Sequence, residues 1–305
     1  MTAEPPILVI KLAALGDFAQ AIGPFKAIRA HHLGTPLVLL TTAPYAELAR
    51  TSGLFEDIWI DSRPGLLEIG AWLTLRRRLN AAGFARVYDL QTSNRTGFYF
   101  RLMQPKPEWS GIAGGCSHPH ANPDRDHMHT IERQAEQLAL AGIDHIPPAD
   151  LNWVTADTDR FAITRPYAVL IPGGSAHRPA KRWPAERFAI LAEGLAAGGL
   201  QPVVLGGGDE IALTQRVAGE AGLDLGGRTD LFDVVGLCRD AELVIGNDSG
   251  PLHLAAITGR PTVVLFSAAS DPALCAPRGQ AVRVIHRQRL DDLAVDEVLA
   301  AADLG

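Results

Sequence analysis

The chain predicts two doubly wound α/β domains, and three observations carry that reading. Short apolar runs alternate with stretches of helical spacing along the sequence, the pattern of a parallel sheet covered by helices on both faces. The alternation breaks between about residue 147 and residue 165, where proline and polar residues cluster, and then restarts with strand, glycine-bearing loop and helix. The 305 residues suit two domains, 1–155 and 156–305, and 47% hydrophobic against 20% charged residues suffices to fill two cores.

In the first half the apolar runs at 7–10, 37–40, 58–60 and 87–90 read as strands, since a strand buried on both faces needs no polar alternation. Phe18, Ile22, Phe25 and Ile28 fall at helical spacing over 18–30, with Pro24 starting or kinking that helix and residues 11–17 forming the loop before it. Further helices are expected at 44–51, 71–82 and 130–141, while 105–125 dissolves into Pro, Gly, His and Asn and predicts no element. In the second half strands at 167–171, 202–205, 243–245 and 282–285 alternate with helices at 185–197, 211–221, 231–238 and 295–302. Residues 243–266 read as strand, polar loop, short helix, turn and second strand, with Ser249 a candidate N-cap and Pro251 in the first helical turn. Two such domains facing one another would place a cleft at the C-terminal ends of their strands, where ligands bind in doubly wound sheets.

A net charge of -6 argues against a nucleic-acid partner. Cys116, Cys238 and Cys275 are widely spaced with no CxxC pair, which fits a reducing compartment. Residues 1–6 lack the basic and apolar regions of a secretion leader, and no apolar run approaches the ~20 residues that span a bilayer. The expectation is a cytoplasmic monomer without a transmembrane segment, able to visit a membrane surface.

Four loops offer chemistry, each with a plainer alternative. Asp17, after Gly16, is placed to act as a general base or to cap the following helix. The stretch 172–183 brings glycines, Ser175 and the Lys181-Arg182 pair, suited to a diphosphate or merely a solvated basic loop. It contains no Gly-Lys-Ser/Thr, so a P-loop is disfavoured, and residues 206–210 do not read GxGxxG, so the dinucleotide fingerprint is missing. Glu210 is a candidate for ribose hydroxyls or an ordinary first-turn acid. Between Asn247 and His253, Ser249 and Gly250 open a helix whose first-turn N–H groups suit an anion, and His253 is either a hydrogen-bond donor or a packing residue. Asp248 would be repelled by a diphosphate by several kcal/mol at an effective dielectric of about 20, so it is expected to order the loop or to read sugar hydroxyls. Cys116, His118, His120, His127 and His129 match no standard zinc spacing, and no metal is expected. Arg76, Arg77, Arg78, Arg86, Arg95 and Arg101 make the first half locally basic, through solvated helix faces or for an anionic acceptor.

Taken together, the stretches 7–17, 89–91, 172–175 with 179–184, and 247–253 resemble the heptosyltransferases, the family 9 glycosyltransferases of the lipopolysaccharide inner core, and 180–184 is most similar to the heptosyltransferase II type. The resemblance implies a GT-B fold, an ADP-heptose donor bound by the second domain, and inverting, metal-independent transfer needing no cofactor. The acceptor implied is a lipid A/Kdo-type glycolipid at the inner-membrane surface, met by the first domain. Asp17 maps onto the family's base, Lys181 onto the lysine that meets donor phosphate, and Ser249, Gly250 and His253 onto the diphosphate loop, with Asn247 and Asp248 immediately before them. Glu210 maps onto the acid that holds ribose, while Gln91 and Arg95 fall on the acceptor side; Ala13 and Ala14 stand where some members carry hydroxyls. A nucleotide-sugar epimerase of the same fold and a non-catalytic nucleotide-sugar-binding protein remain alternatives.

Overall fold

A computed structural model describes residues 4–175 and 177–302. They divide into two compact units between Ala149 and Asp150. The first unit carries strands β1 (Ile7–Ile10), β2 (Leu37–Thr41), β3 (Asp57–Ile60), β4 (Arg86–Asp89), β5 (Glu108–Gly111) and β6 (His118–Pro119). All pairings are parallel, in the order β3-β2-β1-β4-β5-β6. Helices α1 (Leu15–Gln20), α2 (Ile22–His31), α3 (Ala43–Thr51), α4 (Ile69–Ala81), α5 (Asn94–Leu102) and α6 (Thr130–Ala139) connect or cover them. Leu8, Ile10, Leu40, Val87 and Trp109 are buried in its core.

The second unit repeats the plan with β7 (Tyr167–Ile171), β8 (Gln201–Val204), β9 (Leu223–Asp224), β10 (Leu243–Asn247), β11 (Thr262–Ser267) and β12 (Val282–Arg287). Its order is β12-β11-β10-β7-β8-β9, again parallel throughout. Its helices are α7 (Ala185–Ala197), α8 (Ile211–Ala218), α9 (Leu231–Asp240), α10 (Gly250–Ile257), α11 (Pro272–Cys275) and α12 (Val295–Ala302). Leu170, Phe188, Val204, Ile245 and Leu265 fill its core. In each unit the strand order reverses beside the first strand, between β1 and β4 and between β7 and β10. Such a switch point leaves a crevice at the strand ends, because the flanking connections leave in opposite directions.

Three expectations need correction. The helix expected over 18–30 is two helices, α1 from Leu15 and α2 from Ile22, separated at Ala21, whose N–H donates to Phe18 O at 3.0 Å. Pro24 lies in the first turn of α2, where its missing N–H leaves no intrahelical bond unmade. The stretch 105–125 holds β5 and β6, short strands at the sheet edge whose polar residues conceal them and whose anchor is the buried Trp109. Helix α5 was not foreseen; the Ser93 hydroxyl accepts Thr96 N–H and Ser93 N–H donates to the Thr96 hydroxyl, a reciprocal cap that replaces the missing apolar periodicity.

Candidate active site

In the second unit the loops after β7 and β10 adjoin, and Asn247, the last residue of β10, holds both ends of the loop after β7. Its side chain is wholly buried, donates Nδ2 to Pro172 O (2.7 Å) and Gly173 O (3.3 Å), and accepts Trp183 N–H at 3.0 Å. All of that amide's bonding is therefore to protein, and Asn247 positions the loops around it. Two glycines permit the close approach. A Cβ on Gly246 would lie 2.6 Å from Ile171 O, and one on Gly173 2.2 Å from Glu210 Oε1. Glu210 accepts Gly174 N–H at 2.9 Å and Gly207 N–H at 3.1 Å and meets the Arg182 guanidinium at 3.2 Å, so it ties the loop after β7 to the loop after β8.

Lys181 ends a short 3-10 turn, Pro179–Lys181, and is followed by a side chain that anchors it. Trp183 is buried, packs edge-on against Phe188 with ring centroids 4.9 Å apart, and donates Nε1 to Leu293 O at 3.1 Å. From this anchor Lys181 Nζ reaches Asp248 Oδ2 at 2.5 Å, and the Ser270 hydroxyl donates to the same oxygen at 2.6 Å. Of the two expectations for Asp248, ordering the loop or reading sugar hydroxyls, the structure shows bonding within the protein, through a cation and a hydroxyl. An ammonium has three donors, so this pairing leaves Lys181 able to meet a second acceptor.

The N-cap expectation for Ser249 holds in position only. Ser249 has extended backbone angles before α10, but its hydroxyl makes no capping bond and is buried without a hydrogen-bond partner among the described residues. Leaving a buried hydroxyl unpaired is unfavourable, so this group is a donor not committed to the cap of its own helix. Gly250 begins α10 and His253 is buried within it, at 7% exposure. A Cβ built on Gly174 would lie 4.0 Å from Ser249 Cβ, which places the β7 loop beside the N-terminus of α10. Ser175 continues that loop and is exposed.

In the first unit Asp17 is the third residue of α1 and its carboxylate accepts Ala14 N–H at 3.1 Å. The cap residue is Ala14, so the capping alternative for Asp17 becomes a back-bond to the N-terminus of its own helix. Gln91 Oε1 accepts Leu12 N–H at 2.8 Å and Ala13 N–H at 3.1 Å, fixing the loop that carries Asp17 onto the end of β4. Arg95 is directed elsewhere: its guanidinium donates to Pro64 O at 3.2 and 3.3 Å and lies 5.5 Å from the Trp72 ring. A cavity of about 350 Å³ opens at the start of α5, lined by Phe98 and Arg101 among others; of the arginines offered for an anionic acceptor Arg101 lines it, while Asp17, Gln91 and Arg95 do not.

Several charged groups around Asp17 were not foreseen. Lys11 is buried and donates Nζ to Leu90 O at 3.0 Å; burial pulls its ammonium below the usual lysine range, with Asp17 and Asp89 opposing. Asp89 lies beneath Gln91, accepts the N–H groups of Gln91 (3.1 Å) and Thr92 (3.0 Å), and is pushed by burial up to about 6. Arg133 on α6 is pulled down by burial and by Arg125, with Asp126 and Asp17 opposing. A lysine closing an apolar strand and an Asp two residues before Gln91 were the available signals. The cysteine and histidine stretch 116–129 shows no common focus: His118 bonds Ser117 and His129 accepts Ile131 N–H as the cap of α6. Among the described residues no group of three or more His, Cys, Asp or Glu is arranged to hold a metal ion.

Comparison with known proteins bears on this geometry. The profile of "Glycosyltransferase family 9 (heptosyltransferase)" matches residues 72–296. Lipopolysaccharide heptosyltransferase 2 of Salmonella typhimurium is 34% identical over 94% of this chain and 91% of its own length. Among solved structures, the Escherichia coli ADP-heptose lipopolysaccharide heptosyltransferase II superposes with a TM-score of 0.77 at 23% identity over 97% of both chains. A family 9 glycosyl transferase from Veillonella parvula superposes with a TM-score of 0.82 at 21% identity over 99% of this chain and 97% of its own. These likenesses and the two six-stranded parallel sheets describe a GT-B-like α/β fold. The profile match and the Salmonella relative settle the kinship: the chain belongs to glycosyltransferase family 9, the heptosyltransferases, and is a glycosyltransferase.

Proposed function

We propose that this protein transfers a heptose from an ADP-activated donor to a sugar of a lipopolysaccharide inner-core acceptor, with inversion at the anomeric carbon and without a metal ion. The second unit binds the donor. The observation that carries this reading is the buried, unengaged Ser249 hydroxyl at the N-terminus of α10, beside the glycine loop after β7. First-turn N–H groups and the helix dipole favour a diphosphate there, and the hydroxyl supplies one more donor. The names of the Salmonella and Escherichia coli proteins support heptose and ADP as the sugar and nucleotide.

In the proposed reaction an acceptor hydroxyl attacks the anomeric carbon as the bond from that carbon to the β-phosphate oxygen breaks. Asp17 takes the hydroxyl proton. Charge growing on the departing ADP is met by Lys181 and by the α10 N-terminus, the cationic support that a metal supplies in other transferases. Asn247 and Glu210 hold these groups through the loops they tie, and the remaining lone pairs of Glu210 suit ribose hydroxyls. His253 lines the diphosphate loop, and Asp248 keeps the Lys181 ammonium in place. Gln91 keeps the Asp17 loop in register, and Arg95 orders the Pro64 loop on the acceptor side.

Thermal melting against a panel of nucleotides tests the donor assignment, since a ligand that binds only the folded state raises stability by mass action. ADP and ADP-heptose should raise the melting temperature more than GDP or UDP at equal concentration. Equal or larger shifts with GDP or UDP would contradict the assignment.

A further inference from the structure

The first unit displays a concentrated group of exposed apolar side chains. Leu66 and Leu67 are 92% and 94% exposed, Ile69 is 68%, and Leu73 and Phe98 are 44% and 41%. They are not on a loose segment. Arg63 N–H donates to buried Asp61 at 2.7 Å, Trp72 Nε1 donates to Gly65 O at 2.9 Å, and Arg95 holds Pro64 O. Trp72 in turn packs edge-on against Phe98 with centroids 5.1 Å apart, joining α4 to α5. Loop and helices therefore present these side chains on a fixed platform.

Charge is arranged around the same face. Between Asp61 and Arg101 the chain carries seven arginines against three carboxylates, although its net charge is -6. Two of those carboxylates, Asp61 and Asp89, are buried, and the third, Glu68, is exposed between Leu67 and Ile69. Arg86 pairs with Glu108, Arg78 lies over the Trp59 ring and Arg95 holds Pro64 O, which leaves Arg63, Arg76, Arg77 and Arg101 as the exposed cations near this face outside those contacts. On α4, Ile69, Leu73, Arg76 and Arg77 fall at i, i+4, i+7 and i+8 and are all exposed, so one helix face runs from apolar to basic. Arg101 is also exposed and lines the cavity that Phe98 borders. Solvent alone is a poor partner for two adjacent, nearly fully exposed leucines, and larger exposed apolar patches mark contact with protein or lipid. The surrounding excess of arginine selects an anionic partner, as for helices that lie in a headgroup layer.

We propose that this face docks on a bilayer surface carrying anionic lipid, with Leu66, Leu67 and Ile69 entering the headgroup region and Arg76, Arg77 and Arg101 meeting lipid phosphates. Its value to the enzyme rests on the lipid-borne acceptor proposed above, but the contact itself needs no donor or acceptor.

The test is co-sedimentation of the full chain with phosphatidylcholine vesicles, with and without phosphatidylglycerol, alongside the melting shift with ADP. Wild type should sediment with the phosphatidylglycerol vesicles only, and less at high salt. Leu66→Ser/Leu67→Ser/Ile69→Ser should lower partitioning more than about tenfold, and Arg76→Ala/Arg77→Ala about tenfold or more, since each arginine near such a surface is worth roughly fivefold. Both variants should keep the ADP shift. Wild type that ignores both vesicles, or an apolar variant that binds as well as wild type, overturns the proposal. So does a wild-type dimer that the apolar variant converts to monomer, because the face is then covered by a second copy. Loss of the ADP shift in wild type with vesicle binding intact would instead count against the donor assignment alone.

Discussion

Replacing Ser249 by alanine should change stability and ligand binding in opposite directions. An N-cap serine that bonds its helix is worth about 0.5–2 kcal/mol, and its loss shows as a lower melting temperature. Ser249 occupies that position without the bond, its hydroxyl buried and unpartnered. Leaving a buried hydroxyl unpaired costs about 1–3 kcal/mol, so removing it from the ligand-free protein should be neutral or stabilising by up to about 1 kcal/mol once the small void is allowed for. At about 2–4 °C per kcal/mol for a domain of 150–250 residues, the size class of the unit that carries Ser249, the ligand-free melting temperature should stay level or rise by a few degrees. Binding should respond oppositely, because a hydrogen bond to a charged phosphate contributes about 1.5–3 kcal/mol, or roughly 10- to 150-fold in Kd. Differential scanning fluorimetry gives the first quantity and isothermal titration with ADP the second. A ligand-free protein destabilised by 1 kcal/mol or more, with ADP affinity unchanged, would show that Ser249 is only a cap and that the diphosphate is bound elsewhere.

Other expectations are independent of that one. Asp17→Asn should lower kcat by about 10²- to 10⁴-fold while leaving the ADP melting shift intact, and retained turnover in a folded variant would remove Asp17 as the base. Gln91→Ala leaves the Leu12 and Ala13 N–H groups without their acceptor and should lower both stability, by roughly 1–3 kcal/mol, and turnover; Gln91→Glu, which keeps an acceptor oxygen, should recover most of the stability. Asp89 has a folded-state value of about 6, above the ordinary 3.8, so its contribution favours folding below about pH 4 and is lost as the pH rises through 6. Relative to Asp89→Asn, wild type should therefore lose stability on the order of 3 kcal/mol between pH 4 and 7, and a pH-independent difference in urea melts would rule out this titration. Exhaustive treatment with EDTA should leave transfer unchanged; activity abolished and then restored by a divalent cation would contradict the role given to Lys181 and the α10 N-terminus.

Much of the fold was legible because its central strands are buried on both faces and so read as unbroken apolar runs, as at 7–10, 167–171 and 243–245, the last of which the structure extends through Gly246 to Asn247. The edges were not. Glu108–Gly111 and His118–Pro119 pair at the margin of the sheet with little apolar sequence, and α5 owes its start to a two-residue exchange between Ser93 and Thr96. At the candidate site the loops were legible, since glycine, asparagine and serine must follow strands where backbone approaches backbone. Their bonding was not. Nothing local says that Glu210 ties two glycine loops together, that Lys181 lies against Asp248, or that Lys11 and Asp89 are buried near Asp17. The long-range bonds among them, Gly174 to Glu210, Lys181 to Asp248 and Lys11 to Leu90, join residues 36, 67 and 79 positions apart and exist only once the sheet has formed.

The direct test of the central claim is a transfer reaction with purified protein, ADP-heptose and a lipopolysaccharide inner-core acceptor lacking the terminal heptose, followed by mass spectrometry and NMR of the product. The predicted result is a product heavier by one heptosyl residue, one ADP released per transfer, and an anomeric configuration opposite to that of the donor. A retained configuration would contradict the single displacement assigned to Asp17. Turnover of the donor alone, or transfer only from a GDP- or UDP-sugar, would contradict the proposed function.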